Sequence, residues 1–144
     1  MDQQEIIHYV AHHFDGVDVV AGTIEIAIGD TFFIYDPERN LDDKHRFPFA
    51  TIVTKDYGDF DNQSNLNRPG VFRLNVGVSR DTFRRLFPSD DLAHDYTALD
   101  TLIPHPVYAT QSWVSVLNPS RETFASVEPL LEEAYAIAVR RVAR

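Results

Sequence analysis

Strict alternation of side-chain character between residues 71 and 78 is the sequence feature that most limits the fold. Every second position there is apolar: Phe72, Leu74, Val76 and Val78. The positions between them include the polar residues Arg73 and Asn75, followed by Gly77. Because successive side chains of a β-strand point to opposite faces, this segment predicts a strand with one apolar and one polar face. We therefore expect its sheet to be covered on one face only.

Four further strands are predicted along the chain. Alternating or short apolar runs with the pattern of strands occupy residues 23–28, 31–35, 47–54 and 113–117. Gly29-Asp30 has the composition of a tight turn, so the first two of these runs are predicted to form a hairpin.

Helices are predicted near both ends of the chain and once in the middle. The first begins at Asp2, where Glu5 completes a capping box, and ends before Gly16. Ser79 begins a short helix that Pro88 ends.

The C-terminal region is predicted to be helical after residues 118–120. Pro129 lies inside its apolar stripe, and proline removes a backbone donor, so we expect a kink or a restart near Ser126. Residues 97–102 are predicted to add one more turn of helix.

These elements together predict an α+β fold, a two-layer sandwich in which helices pack on one face of a mostly antiparallel sheet. A chain of 144 residues has the size of one compact domain, so residues 1–144 are expected to form a single unit. The edges of such a sheet need cover, and a homodimer is an open expectation for that reason.

Charge and composition exclude several classes of function. The chain carries 22 acidic residues against 13 lysines and arginines, which gives a net charge of −9. It contains no cysteine, and this excludes disulfide and thiolate chemistry. No lysine or arginine precedes Arg39, and the acidic field disfavours nucleic acid or an anionic membrane as the main partner. No apolar run approaches the ~18 residues that cross a bilayer. We predict a cytoplasmic protein without a membrane partner.

Several ordered segments carry a resemblance to a known family. They read GDTFFIYDP (29–37), FPFATIVT (47–54), NRPGVFRLN (67–75), PHPVY (104–108) and WVSVLNP (113–119). In these segments the chain resembles a family of small bacterial proteins known only as a domain of unknown function, family 6194, and the resemblance implies no activity. Residues 113–139 are more distantly similar to the C-terminal half of MmcQ/YjbR-like proteins, which implies the same α+β fold.

No metal site, cofactor or catalytic group is predicted. Glu5, His8 and His12 share one face of the first helix, but that face is expected to point into water without a second ligand-bearing element. The acidic segment 56–65 lacks the glycine and glutamate of a calcium loop and is interpreted as a solvated loop. Glycine-rich nucleotide motifs and a nucleophile elbow are absent from the sequence.

Six residues are candidates for a ligand-binding surface: Lys55, Arg73, Asn75, His105, Tyr108 and Trp113. If they converge, they form an aromatic pocket with a cationic rim, suited to a small anionic ligand or a peptide carboxylate. Other roles stay open for these residues. His105, between two prolines, also suits a rigid spacer, Arg73 could pair with Glu25 across the sheet, and the aromatic rings could belong to the core.

Three functions follow from these residues. The first is a non-catalytic module that binds a small ligand or a protein. The second is a small enzyme with His105 as general acid or base, oriented by Asp36 or Asp100. The third is nucleic-acid binding through the arginines of the short helix and of the C-terminus, which the net charge of −9 disfavours.

Overall fold

A computed structural model describes residues 1–23, 27–89 and 94–143 of the chain. Within these residues it contains a six-stranded sheet of order β1-β2-β3-β4-β6-β5, in which all neighbouring strands are antiparallel. The strands are β1 Val17–Ala21, β2 Thr31–Tyr35, β3 Pro48–Val53, β4 Arg73–Gly77, β5 Leu102–Pro104 and β6 Trp113–Leu117. The α-helices are α1 Gln3–His13, α2 Arg80–Leu86 and α3 Arg121–Val142. The α+β class and the antiparallel sheet are confirmed.

The alternation in β4 separates the two faces of the sheet as predicted. Leu74 and Val76 lie in the main core together with Ile6 and Val10 of α1. The long helix α3 adds Val127 and further apolar residues to this core and packs against β2, β3 and β4. Burying this apolar layer under α1 and α3 removes it from water, which is the main favourable term in folding. The polar residues of β4 therefore point to the opposite face.

The predicted helix starts are confirmed. The side chain of Asp2 accepts the N–H of Glu5, and the Glu5 carboxylate accepts the N–H of Asp2, which completes the capping box of α1. Ser79 caps α2 through the N–H of Thr82, and Ser120 caps α3 through the N–H of Thr123.

The C-terminal helix does not restart near Ser126, and that prediction is wrong. Pro129 lies inside one continuous helix, and the Ser126 hydroxyl donates to the carbonyl of Thr123 instead of capping a second segment. Apolar residues on both sides of the proline, Val127 and Leu131, are fully buried in the same core. This shared burial offsets the single hydrogen bond that the proline removes.

The first hairpin differs from the predicted one. Its outer strand is β1, which pairs with β2 through partners such as Val19 and Phe33. Of the predicted strand 23–28, residues 24–26 lie outside the described residues, and Ala27 to Gly29 form a turn in which the N–H of Asp30 bonds the carbonyl of Ala27. The alternation in β1 is weak, so its pairing depends on β2 and not on its own pattern.

The predicted helical turn at residues 97–102 is also wrong. Leu102 begins the edge strand β5 and pairs with Val116 of β6. Strands as short as this one take their conformation from a paired neighbour, which local propensity does not reveal.

The prediction that the sheet is covered on one face only is wrong, because the loop between β3 and β4 buries Arg73 and Asn75 on the face away from α1 and α3; among the described residues that face is partly covered. A second apolar cluster there contains Val53, Leu66, Ile103 and Leu117, with Leu66 coming from the loop between β3 and β4. The rest of this face lines a cleft. Among the described residues, no helix is both long and apolar enough to cross a membrane.

Candidate ligand-binding cleft

A cleft of about 790 Å³ lies over the polar face of β3, β4 and β6 and reaches the C-terminal half of α3. The strand register sets its floor, because Asn75 pairs with Thr51 on one side and with Ser115 on the other. The walls of the cleft are aromatic and include Phe47, Tyr57, Phe60, Tyr108 and Trp113. A volume of this size is typical of small-molecule sites in proteins, which range from about 300 to 1,000 Å³.

Arg73 lies at the base of the cleft and is completely buried. Its Nη1 and Nη2 contact the two carboxylate oxygens of Asp61 at 3.0 and 2.6 Å. Nη1 also donates to Ser64 Oγ at 3.0 Å, Nε donates to Asn75 Oδ1 at 2.8 Å, and Nη2 lies 3.3 Å from His105 Nε2. Of the five N–H donors of the guanidinium, four are accepted by Asp61, Ser64 and Asn75, and the fifth lies against the His105 ring.

Asn75 connects this charged group to the cleft floor. Its side-chain oxygen accepts hydrogen bonds from Arg73 and, at 2.7 Å, from Ser115 Oγ, and its amide donates to Thr51 Oγ1 at 3.0 Å. These hydrogen bonds satisfy a row of buried polar groups and hold the cleft floor in one arrangement.

His105 is buried beside Arg73, and Nδ1 is the ring nitrogen that accepts hydrogen bonds. It accepts the backbone N–H groups of Val107 and Tyr108 at 3.0 and 2.9 Å, so the neutral ring carries its proton on Nε2, which lies 3.3 Å from Arg73 Nη2 and does not accept from it. Burial and the charge of Arg73 lower the pKa of His105 to about 3, although Asp61 acts in the opposite direction. The ring is therefore neutral at physiological pH and is a poor general base.

Trp113 forms one wall because its partner in the sheet is a glycine. The register places Trp113 opposite Gly77, and a β-carbon at position 77 would lie 2.9 Å from Cε2 of the indole and 3.0 Å from Cζ2. The ring therefore lies directly against the backbone of β4. Within the described residues the indole N–H has no hydrogen-bond partner, so an unpaired donor is left in the wall of the cleft.

Two further aromatic residues border the opening near His105. The ring of Tyr108 lies 5.0 Å from that of His105 and 6.0 Å from that of Phe60, measured between centroids. Phe60 is 61% exposed, although it is a large apolar residue. Exposed apolar residues grouped at a concave surface are typical of binding sites.

At the other end, the cleft contacts Arg141 of α3 and Phe47, which precedes β3. The guanidinium carbon of Arg141 lies 5.8 Å from the centroid of the Phe47 ring, within the range of a cation–π contact. No carboxylate oxygen lies within 4.0 Å of the Arg141 guanidinium in the described part of the chain.

Comparison with known proteins gives one match. Residues 1–144 match the model of a family described as Family of unknown function (DUF6194). The chain belongs to DUF6194. No curated protein and no solved structure matches it. The predicted resemblance to family 6194 is confirmed, whereas the MmcQ/YjbR-like relation is not.

Five of the six candidate residues of this DUF6194 chain meet in the cleft: Arg73, Asn75, His105, Tyr108 and Trp113. Lys55 lies apart from them. Its Nζ donates to the carbonyl of Ile28 and lies 4.0 Å from the buried carboxylate of Asp30. Arg73 pairs with Asp61, and its proposed partner Glu25 lies outside the described residues.

The two aspartates predicted to orient His105 are engaged elsewhere in the DUF6194 fold. Asp36 Oδ2 accepts from Arg46 Nη1 at 2.6 Å, and Asp100 Oδ1 accepts the N–H of Ser120 at 2.7 Å. Neither carboxylate is therefore in position to align the His105 ring.

Three residues that shape the site were not among the six candidates: Asp61, Phe47 and Arg141. Asp61 belongs to the segment interpreted as a solvated acidic loop, yet it is only 6% exposed. The sequence feature that could have indicated Asp61 is Arg73 itself, because an arginine buried in a strand requires a carboxylate from another element. Arg141 and Phe47 are 94 residues apart (141 − 47) and carry no shared pattern.

Proposed function

We propose that this chain is a non-catalytic module that binds a small, mostly apolar molecule in the cleft over β3, β4 and β6. The observation that carries this proposal is an aromatic-walled cavity of about 790 Å³ on a floor of satisfied polar groups. Such a floor is rigid, and rigid floors with apolar walls are typical of ligand sites. A cytoplasmic location and a homodimer stay predictions.

A small molecule fits the cleft better than a peptide strand does. Extended peptides commonly bind at an exposed sheet edge, where backbone groups are unpaired. The strands under this cleft, β3, β4 and β6, are each paired on both sides.

The enzyme alternative has less support. It needs a proton acceptor near pH 7, and the pKa of His105 is lowered to about 3 by burial and by Arg73. Nucleic-acid binding stays disfavoured by the net charge of −9.

A titration with the uncharged dye phenylnaphthylamine tests the proposal. Trp113 is the only tryptophan, so binding in the cleft is expected to quench its fluorescence by energy transfer while the dye emission rises and saturates. Thr51→Phe adds a ring to the cleft floor and is expected to weaken binding at least tenfold. The matched control is Ala21→Phe, at the exposed end of β1, which should bind as the wild type does.

Each variant is first checked for a native circular dichroism spectrum. The proposal is overturned if the folded wild type shows no saturable binding. It is also overturned if Thr51→Phe binds the dye as well as Ala21→Phe does.

A further inference from the structure

We infer that the ligand of this cleft is an organic anion whose charged group binds Arg141 and whose apolar part packs on Trp113. The inference rests on the proposed binding function and names the class of ligand. It follows from the distribution of charge, donors and aromatic surface along the cleft.

Arg73 does not bind this anion, although it is the strand arginine of the cleft. Four of its N–H donors are accepted by Asp61, Ser64 and Asn75, and the fifth is blocked by the His105 ring, 3.3 Å away. The two-pronged contact with Asp61 also neutralises its charge. An anion at this end would meet a paired cation and a nearby carboxylate.

Arg141 has the properties that Arg73 lacks. It is exposed, it lines the cleft, and the described residues place no carboxylate within 4.0 Å of its guanidinium. The contact with Phe47, at 5.8 Å, is not a hydrogen bond, and the N–H groups along the edge of the guanidinium have no acceptor among the described residues. The N–H groups of that edge match a carboxylate or sulfonate in two-pronged geometry.

Trp113 supplies a surface for the apolar part. Gly77 lies behind its indole, so the ring is held against the strand, and the cleft lies in front of it. Flat rings gain from offset or edge contacts with an indole beyond the burial of apolar area. The unpaired indole N–H adds one donor and no acceptor, which again favours an electron-rich partner.

The charged side chains differ between the two ends of the cleft. Asp61 lies toward one end, and Tyr57 at that end donates a hydrogen bond to the buried carboxylate of Asp30. Arg141 lies at the other end, where β3 begins. An amphiphilic anion is therefore most stable with its charge at Arg141.

Two dyes of the same shape separate this inference from the proposed function. Anilinonaphthalene sulfonate is phenylnaphthylamine with one added sulfonate, so comparing their dissociation constants isolates the contribution of the charge. We expect wild-type protein to bind the sulfonate dye more tightly than the neutral one. Arg141→Met is expected to weaken binding of the sulfonate dye about tenfold, as for loss of a charge-assisted hydrogen bond. It should weaken binding of the neutral dye by a clearly smaller factor, because that dye has no anionic group for the guanidinium to bind.

Arg140→Met is the matched control, because it removes the same charge from the neighbouring exposed position, which does not line the cleft. It should change neither affinity, and Arg141→Lys should fall between wild type and Arg141→Met. If the neutral dye binds but Arg141→Met leaves sulfonate binding unchanged, or if Arg140→Met weakens it equally, the inference fails and the proposed function stands. If neither dye binds the wild type, the proposed function itself fails.

Discussion

The guanidinium of Arg73 and the carboxylate of Asp61 form a buried two-pronged ion pair, with N–O distances of 3.0 and 2.6 Å. Arg73 belongs to β4, and Asp61 belongs to the loop that precedes it. The ion pair therefore holds that loop over the polar face of the sheet and forms one end of the cleft.

Arg73→Met should lower the free energy of unfolding by about 3–5 kcal/mol, because it leaves the Asp61 carboxylate buried without its partner. Urea denaturation measures the loss. Arg39→Met is the matched control, since Arg39 pairs with Asp18 on the surface, and there the loss should be about 0–1 kcal/mol. The double variant Arg73→Met/Asp61→Leu should lose less than the sum of its single variants. Equal small losses for Arg73→Met and Arg39→Met would contradict the structural role of the pair.

The folded protein should become less stable as pH falls below about 6.5 because of His105. The unfolded ring takes up a proton near its ordinary pKa of 6.5, whereas burial and Arg73 lower the folded pKa to about 3. Unfolding therefore takes up a proton in this window, and the free energy of unfolding falls with pH. The expected loss from this group between about pH 7 and pH 5 is about 2 kcal/mol.

His105→Gln removes this titration, so urea denaturation of the variant should show a smaller loss over the same pH range. Other groups titrate in both proteins, and their contributions cancel in the comparison. Parallel pH dependence in the two proteins would show that the folded His105 ring is protonated as easily as the unfolded one.

Gly77→Ala should disturb the Trp113 wall. The added β-carbon would lie 2.9 Å from the indole, so the ring must move, and overpacking of this kind costs about 1–3 kcal/mol. We expect a shifted tryptophan emission maximum and weaker dye binding. In a Trp113→Leu background the same substitution should cost less than half as much by urea denaturation followed with circular dichroism. A cost that does not depend on the residue at position 113 would place the strain elsewhere.

Tyr57→Phe should destabilise the protein more at neutral than at acid pH. The Tyr57 hydroxyl donates to Asp30, a carboxyl whose pKa is raised by burial despite the hydrogen bonds from Thr54. Loss of a donor to a buried carboxylate costs about 1–3 kcal/mol when the group is charged. As pH falls through the raised pKa, Asp30 takes up a proton in the folded state and the penalty shrinks.

Tyr9→Phe is the matched control for this substitution. The Tyr9 hydroxyl is buried and has no hydrogen-bond partner among the described residues. Its removal should leave the free energy of unfolding unchanged or raise it, at both pH values. Urea denaturation of the two variants gives the comparison, and equal effects from Tyr57→Phe and Tyr9→Phe would contradict the role assigned to the Asp30 contact.

Local features of the fold were predictable because they depend on neighbours in the chain. The capping box of α1 links residues 3 positions apart, and the two faces of β4 follow from alternation alone. The continuous path of α3 through Pro129 was not predictable in this way, since it depends on what its apolar face covers.

The amino-acid sequence by itself determined the α+β class and the polar face of β4, and it pointed to six candidate residues, five of which line the cleft. Only the tertiary structure decided which charged side chains are paired within the protein and which are available to a ligand. Arg73 meets a loop carboxylate 12 positions away and a histidine 32 positions away, whereas Arg141 is brought to Phe47 by the packing of α3 on the sheet. Pairing over such distances depends on strand order, register and loop path, and these are set by the burial of the whole core.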